Sequence, residues 1–296
     1  MSVSIALTTY NGQRFLREQL DSILSQTIDF KELIVCDDNS SDSTLDILQE
    51  FQGKDPRIKV HQNEKNLGFK KNFEKALRLC TGDFIALCDQ DDIWTPDHLE
   101  ILRNGIGDKM LCCGNASLMD ADGASLNMTL TEVKNFRGSQ SENQSIFKFI
   151  TYYQNPFQGA SMLMRKKFLE YAMPIPESVK YHDVWFSHIA TLSDSFVFVD
   201  KPVNNYRMHL DNASGEHKHH TPLRALLGHL IKRNLDTNRR EIIEAISLSE
   251  IPLSSKSKTI LDEARAYHSY RNEGFTGRLR NFFYELKNFK EIYGRI

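Results

Sequence analysis

The sequence predicts an α/β protein: a doubly wound, mainly parallel sheet flanked by helices, with a C-terminal helical extension. Three observations carry this expectation. Short apolar runs alternate with amphipathic segments four times within residues 2–92, the pattern of strands joined by crossover helices. Three of the four runs end in polar clusters, as strands of such sheets do where they meet ligands at their carboxyl ends. Charge then divides the chain: residues 217–296 hold 15 Lys and Arg against 9 Asp and Glu, a net +6, whereas residues 1–216 hold 22 against 30, a net −8. An acidic front and a basic tail point to two different jobs.

Residues 2–9 (SVSIALTT) form the first buried-strand pattern, and residues 13–25 follow with Phe15, Leu16, Leu20, Ile23 and Leu24 at helical spacing. Residues 33–36 make the second strand, ending on Asp37 and Asp38, and residues 44–51 the second helix. Residues 58–61 and 72–79 make the third pair, and residues 84–88 (FIALC) a fourth strand closed by Asp89, Gln90, Asp91 and Asp92. Beyond residue 105 the alternation loosens. Apolar stretches at 110–113, 160–164 and 196–199, with a helix at 183–192, are expected to complete the sheet. The predicted boundaries are an α/β domain over 1–215 and a basic helical extension over 216–296.

At 296 residues the chain has room for one large domain plus an appendage, and 40% apolar with 26% charged residues is ordinary globular usage. The five cysteines (Cys36, Cys80, Cys88, Cys112, Cys113) are odd in number and lack C-x-x-C spacing, which argues against disulfides and structural zinc. The adjacent Cys112 and Cys113 suit buried packing better than nucleophilic chemistry. Met1 leads directly into a strand pattern without a basic, apolar-cored leader, and no stretch approaches 18 uninterrupted apolar residues. The expected location is cytoplasmic.

Several motifs follow one another in a fixed order: Thr8-Thr9-Tyr10-Asn11-Gly12, Leu24-Ser25-Gln26-Thr27, and Asp37-Asp38-Asn39-Ser40-Ser41-Asp42-Ser43-Thr44. After these come Asn66-Leu67-Gly68, the acidic Asp89 to Asp92 with Trp94, His182-Asp183, and Tyr206-Arg207-Met208-His209. In this order and at these strand ends, over about residues 3–215, the chain resembles glycosyltransferase family 2, an inverting group with the GT-A fold. The acidic motif and the run Tyr181-His182-Asp183-Val184-Trp185 are similar to those of bacterial rhamnosyltransferases of capsule and O-antigen assembly. The resemblance implies a metal-dependent enzyme of bacterial surface polysaccharide biosynthesis. Its donor would be dTDP-rhamnose, or a UDP-linked hexose or N-acetylhexosamine, and its acceptor a hydroxyl of a glycan or lipid-linked glycan.

The resemblance also assigns roles. Asp91 would hold Mn²⁺ or Mg²⁺ against the donor diphosphate, a hard-cation task suited to carboxylates, with Asp89 and Asp92 as donor contacts. The same acidic cluster could instead cap the helix expected at 96–103. Asp38 would accept from the imide N–H of uracil or thymine, Thr8 and Tyr10 would flank the base, and Asn11 completes that cluster. Capping the helix at Thr44 is the competing use of this segment, for which Asp42 or Ser43 is suited. Asn66 and Lys71 open a helix beside Gly68, where an approach to the nucleotide is possible; a turn with solvated lysines would look alike. Asp183 would be the general base that takes the acceptor's proton, or an ordinary N-cap. His209 matches a metal- or diphosphate-binding histidine, against a structural role. His217, His219 and His220 are expected to be a solvated hinge.

In the tail, Phe275, Leu279, Phe282, Phe283, Leu286, Phe289 and Tyr293 recur at helical spacing, with Arg278, Arg280, Lys287, Lys290 and Arg295 between them. Such a helix lies on an anionic bilayer, which would place the protein peripherally on the inner face of the plasma membrane. Otherwise it packs on the α/β domain or on a second copy in a homodimer. Two other functions compete: a sugar-phosphate nucleotidyltransferase, which would need a Gly-rich phosphate loop that residues 8–12 lack, and a catalytically inactive nucleotide-sugar-binding scaffold. No G-x-G-x-x-G follows the first strand, so a nicotinamide enzyme is not expected. The acidic front domain makes nucleic acid an unsuitable partner.

Overall fold

The computed structural model describes residues 1–136, 142–209, 237–269 and 274–287. The expected boundary at 215, His217, His219 and His220, and Phe289, Lys290, Tyr293 and Arg295 lie outside the described residues.

The first half follows the alternation in the sequence. Strands β1 (Val3–Thr9), β2 (Glu32–Asp37) and β4 (Phe84–Cys88) are buried along their whole length, and β3 (Ile58–Gln62) is partly exposed at the edge. Continuous burial requires cover on both faces, and helices supply it. Helix α1 (Leu16–Leu24) turns Leu16, Gln19, Leu20 and Ile23 inward, α2 (Thr44–Lys54) turns Ile47, Leu48 and Phe51, and α3 (Phe69–Leu79) turns Phe73, Ala76 and Leu77. Leu16, Leu20, Ile23, Ile47, Leu48 and Phe51 share one core with Ile5, Leu7, Leu33 and Val35 of the strands. Each such side chain contributes roughly 1.5–3 kcal/mol by leaving water. The four strands pair in parallel in the order β3-β2-β1-β4, with Thr9 opposite Asp37 and Leu7 opposite Cys88. The carboxyl ends of β1, β2 and β4 therefore meet at one edge.

The second half runs β5 (Ile93–Trp94), α4 (His98–Gly105), β6 (Leu111–Met119), β7 (Ser125–Thr129), α5 (Leu130–Val133), α6 (Asn143–Tyr152), β8 (Met162–Arg165), α7 (Leu169–Ala172), α8 (His182–Leu192) and β9 (Phe196–Arg207). It extends the sheet in the order β4-β8-β6-β9-β5, and β7 pairs with β6. Strand β8 runs antiparallel to β4 and β6, and β5 antiparallel to β9. Three helices follow: α9 (Thr237–Ser247), α10 (Ser255–Ser269) and α11 (Gly274–Lys287). None of the described helices is long and apolar enough to cross a membrane.

The chain separates into two compact units. The first comprises residues 1–130, 157–175 and 197–213, and contains the sheet; the second comprises residues 131–156, 176–196 and 214–296. In the second unit the rings of Tyr152 (α6), Tyr267 (α10) and Tyr284 (α11) converge, with Tyr152 at 4.6 Å from Tyr267 and 5.3 Å from Tyr284 between ring centroids. All five cysteines are buried and free. Burial pushes the Cys112 thiol up to about 12, so it is no nucleophile.

Candidate active site

Three strand-end loops and the end of β9 build the site in the first unit. After β1 the chain turns through Asn11, whose φ of 48° is a left-handed conformation that asparagine tolerates. The loop is then tied to the one after β2. Asn11 N–H donates to Ser40 Oγ at 2.9 Å, Ser41 N–H donates to Asn11 Oδ1 at 2.9 Å, and Gly12 N–H donates to Thr44 Oγ1 at 2.8 Å. Of the two cap candidates, Ser43 holds the N-cap position of α2, and Asp42 Oδ1 accepts the Thr44 N–H of its first turn at 3.0 Å. Thr8 is buried, whereas Tyr10 is 49% exposed beside it.

The paired carboxylates at the end of β2 both turn inward. Asp37 accepts from Thr9 Oγ1 at 2.8 Å and from Ser40 N–H at 2.9 Å. Asp38, expected to meet a nucleobase, is 2% exposed and holds the next loop. It takes N–H groups from Asn63 Nδ2 at 2.8 Å, Leu67 at 2.7 Å and Gly68 at 2.9 Å. Gly68 has φ 83°, a conformation glycine adopts without penalty, and this turn aims its N–H at the carboxylate before α3 begins. Asn66 is exposed and bonds Gly68 N–H at 3.0 Å, and Lys71 is exposed on the first turn of α3.

After β4 the four residues of the acidic motif diverge. Asp89 and Asp91 are half-buried. Asp92, expected as a donor contact, is fully buried. Its carboxylate accepts from Gln158 Nε2 at 2.7 Å, Asn204 Nδ2 at 2.8 Å and Arg207 N–H at 3.0 Å, so it anchors the loop to β9 and the segment before β8. Burial, reinforced by the neighbouring Asp91 carboxylate, pushes the Asp92 carboxyl well above the usual range.

Strand β9 delivers two further groups. The buried Arg207 guanidinium lies 4.5 Å over the Phe15 ring and donates to the Asp91 carbonyl at 2.9 Å, the Ala121 carbonyl at 3.2 Å and Glu18 Oε2 at 2.5 Å. Two residues on, His209 Nε2 is 2.9 Å from Asp91 Oδ2, with its ring 5.1 Å from that of Phe15. Asp91 and His209 are 118 positions apart in sequence, and the pairing of β5 with β9 brings them together.

Comparison with known proteins gives this arrangement its family. The family model described as glycosyl transferase family 2 matches residues 4–170. The chain belongs to glycosyltransferase family 2. It is 28% identical over 218 residues to the putative glycosyltransferase EpsH of Bacillus subtilis, a match spanning 71% of this chain and 62% of EpsH. Over 109 residues it is 41% identical to the UDP-Glc:alpha-D-GlcNAc-diphosphoundecaprenol beta-1,3-glucosyltransferase WfgD of Escherichia coli, covering 35% of this chain and 42% of that protein. S. aureus TarS in complex with UDP superposes with a TM-score of 0.57 at 21% identity, covering 90% of this chain and 72% of that one. Its curled, mostly parallel sheet flanked by helices is the GT-A fold.

For a member of this family, the Asp91–His209 pair is where a divalent ion would fit. The two are hydrogen-bonded to each other, Nε2 and Oδ2 standing 2.9 Å apart, a separation also compatible with adjacent corners of an octahedral ion, which stand about 3.0 Å apart when the ligands lie at about 2.1 Å. Among the described residues no cluster of three His, Cys or carboxylate groups surrounds it. A carboxylate and an imidazole are donors that Mg²⁺ or Mn²⁺ accepts beside phosphate oxygens and water.

Asp183 belongs to the second unit, on the first turn of α8. Its Oδ1 accepts the Val184 N–H at 2.7 Å, within the first turn, whereas the N-cap position is held by Tyr181. Burial nevertheless pushes its carboxyl up to about 6, partly offset by that N–H and by the Lys134 ammonium, into the range where a carboxylate is an effective base near neutral pH. The neighbouring His182 is held down to about 4 by burial.

Gln90, Glu18, Asp37, Gln158, Asn204 and Arg207 complete the structure of the site without having been assigned a role from sequence. Asp37 and Gln90 lie inside motifs and were open to notice. Gln158 and Asn204 carry no local pattern, because their partner Asp92 is 66 and 112 positions away.

Proposed function

We propose that the chain transfers a sugar, with inversion, from a UDP- or dTDP-linked donor to an acceptor hydroxyl in the assembly of a bacterial surface polysaccharide. The observation that carries this reading is the meeting of Asp91 and His209 at 2.9 Å, Asp91 lying on the loop whose Gln90 bonds the backbone of the exposed Tyr10. WfgD, by its name, uses UDP-glucose and a diphosphoundecaprenol-linked acceptor, and TarS binds UDP. Both support a pyrimidine nucleotide donor; the rhamnosyltransferase resemblance supports dTDP-rhamnose as one candidate.

In this reading Tyr10 stacks on the base and Thr8 and Asn11 line its side. Asp89, Asn66 and Lys71 face the ribose and phosphates. Asp91 and His209 hold Mn²⁺ or Mg²⁺, which when bound neutralises charge on the diphosphate leaving group. Asp183 accepts the acceptor hydroxyl's proton as that oxygen forms its bond to the anomeric carbon, while the bond from that carbon to the diphosphate oxygen breaks and the diphosphate leaves with the electron pair. Attack from the face opposite the leaving group inverts the anomeric centre. Asp92 and Asp38 act from inside, holding the loops that carry these groups.

The tail supports contact with a membrane-borne acceptor. On α11, Phe283 is 61% and Leu286 51% exposed, next to exposed Arg280 and Lys287, an apolar and cationic face suited to an anionic bilayer. A homodimer built on the same face is the competing use. The function is tested by incubating the chain with UDP- and dTDP-sugars, Mn²⁺ and a polyprenyl-diphosphate-linked sugar. NMR should find a glycoside with the anomeric configuration opposite to that of the donor; a product with retained configuration contradicts the proposal.

A further inference from the structure

Gln90 stands in sequence between Asp89 and Asp91, and its side chain reaches the backbone of Tyr10, just past the end of β1. Gln90 Oε1 accepts the Tyr10 N–H at 2.8 Å, and Gln90 Nε2 donates to the Tyr10 carbonyl at 3.0 Å. One amide thus occupies both backbone polar groups of Tyr10, as a neighbouring strand would. The ladder between β1 and β4 ends at Leu7 opposite Cys88, so the side chain continues the pairing three residues past the point where the backbones stop. The fit depends on Gly12. A Cβ there would lie 2.2 Å from Gln90 Oε1 and 2.6 Å from its Cδ, although the Gly12 backbone itself does not require glycine, since its φ is not in the left-handed region.

The geometry points to Gln90 as a positioning residue that locks the Tyr10 platform to the Asp91 loop, fixing the distance between the nucleobase and diphosphate ends of the donor site. This rests on the reading of the site as one for a nucleoside diphosphate sugar. An alanine at 90 removes both bonds. A glutamate retains the acceptor for Tyr10 N–H but sets a carboxylate oxygen against the Tyr10 carbonyl. Alanine at 12 displaces the Gln90 amide by collision, and should do so only while Gln90 is present.

Hydrogen exchange and binding together test this. In Gln90→Ala the Tyr10 amide should exchange at least tenfold faster, and the Kd for UDP or dTDP with Mn²⁺ should rise about ten- to thirty-fold, as expected for two lost hydrogen bonds. The Kd for inorganic diphosphate with Mn²⁺ should change less than about threefold. Gln90→Glu should follow Gln90→Ala. Gly12→Ala should weaken nucleotide binding comparably, and Gln90→Ala/Gly12→Ala should be no weaker than Gln90→Ala alone, a non-additive cycle that marks direct coupling. Unchanged Tyr10 exchange, equal weakening of nucleotide and inorganic diphosphate, an undiminished Gln90→Glu or an additive double variant each overturns the inference. A wild-type chain that binds neither nucleotide overturns the donor-site reading as well, whereas wild-type binding that Gln90→Ala leaves intact overturns the inference alone.

Discussion

Replacing Asp183 with Asn separates the stability cost of the half-buried carboxylate from its use. Burial raises the Asp183 carboxyl from 3.8 to about 6, so the folded state holds the proton more tightly than the unfolded chain, where Asp titrates near 3.9. Between about pH 4 and pH 6 the native state binds more protons, and stability falls as pH rises; above about pH 6 the full deficit is present. A shift of about two units corresponds to roughly 3 kcal/mol as a ceiling, and partial solvent exposure reduces this to ~1–2 kcal/mol. The Asn amide oxygen still accepts the Val184 N–H, now made at 2.7 Å, and carries no charge. The variant is therefore expected to be ~1–2 kcal/mol more stable than wild type at pH 7.5, with the difference vanishing near pH 4, while donor binding persists and sugar transfer is lost. Denaturant unfolding at the two pH values, alongside a turnover assay, reads all three quantities. A variant less stable than wild type at pH 7.5 would show the carboxylate to be a net stabilising cap, and full transfer activity would refute the base assignment.

Other outcomes follow from the same geometry. The rate of transfer should rise with pH through about 6 as Asp183 loses its proton; a flat profile from pH 5 to 8 at saturating donor and metal argues against it. Arg207→Lys cannot reproduce the bonds to Glu18, the Asp91 carbonyl and the Ala121 carbonyl, and should cost about 2–4 kcal/mol in urea unfolding, together with a higher donor KM. Exchanging Phe283 and Leu286 for Ser together should reduce flotation with phosphatidylserine vesicles several-fold and leave flotation with neutral vesicles near background; equal flotation of the two proteins removes the bilayer from the account.

The parallel half of the sheet was legible because β1, β2 and β4 are apolar over their whole length, the mark of strands covered on both faces. Strand β9 was legible only in its apolar first third. Its continuation through residues 200–207 is polar, since pairing there is carried by the backbone and by the bonds of Asn204 and Arg207. Strand β7 has an exposed pattern and, among the described residues, pairs with β6 alone, and the two residues of β5 are too few to have a periodicity. Within the site, residue type singled out Asp91 and His209, which the structure places 2.9 Å apart, but did not give the direction of a side chain. Asp38 and Asp92 have the same carboxylate chemistry as Asp91 and likewise follow strand ends, β2 and β4, yet both turn inward, because the donors that satisfy them arrive from distant segments.

The central claim is that Asp91, with His209, holds a divalent ion against a nucleoside diphosphate. Thermal unfolding of the wild-type chain and of Asp91→Ala with UDP- and dTDP-sugars, with and without Mn²⁺, tests it most directly. A ligand at a hundredfold its Kd stabilises the folded state by about 2.7 kcal/mol. The account predicts a metal-dependent rise in Tm for wild type with at least one of these donors, and none for Asp91→Ala. An equal, metal-dependent rise in the two proteins would contradict it.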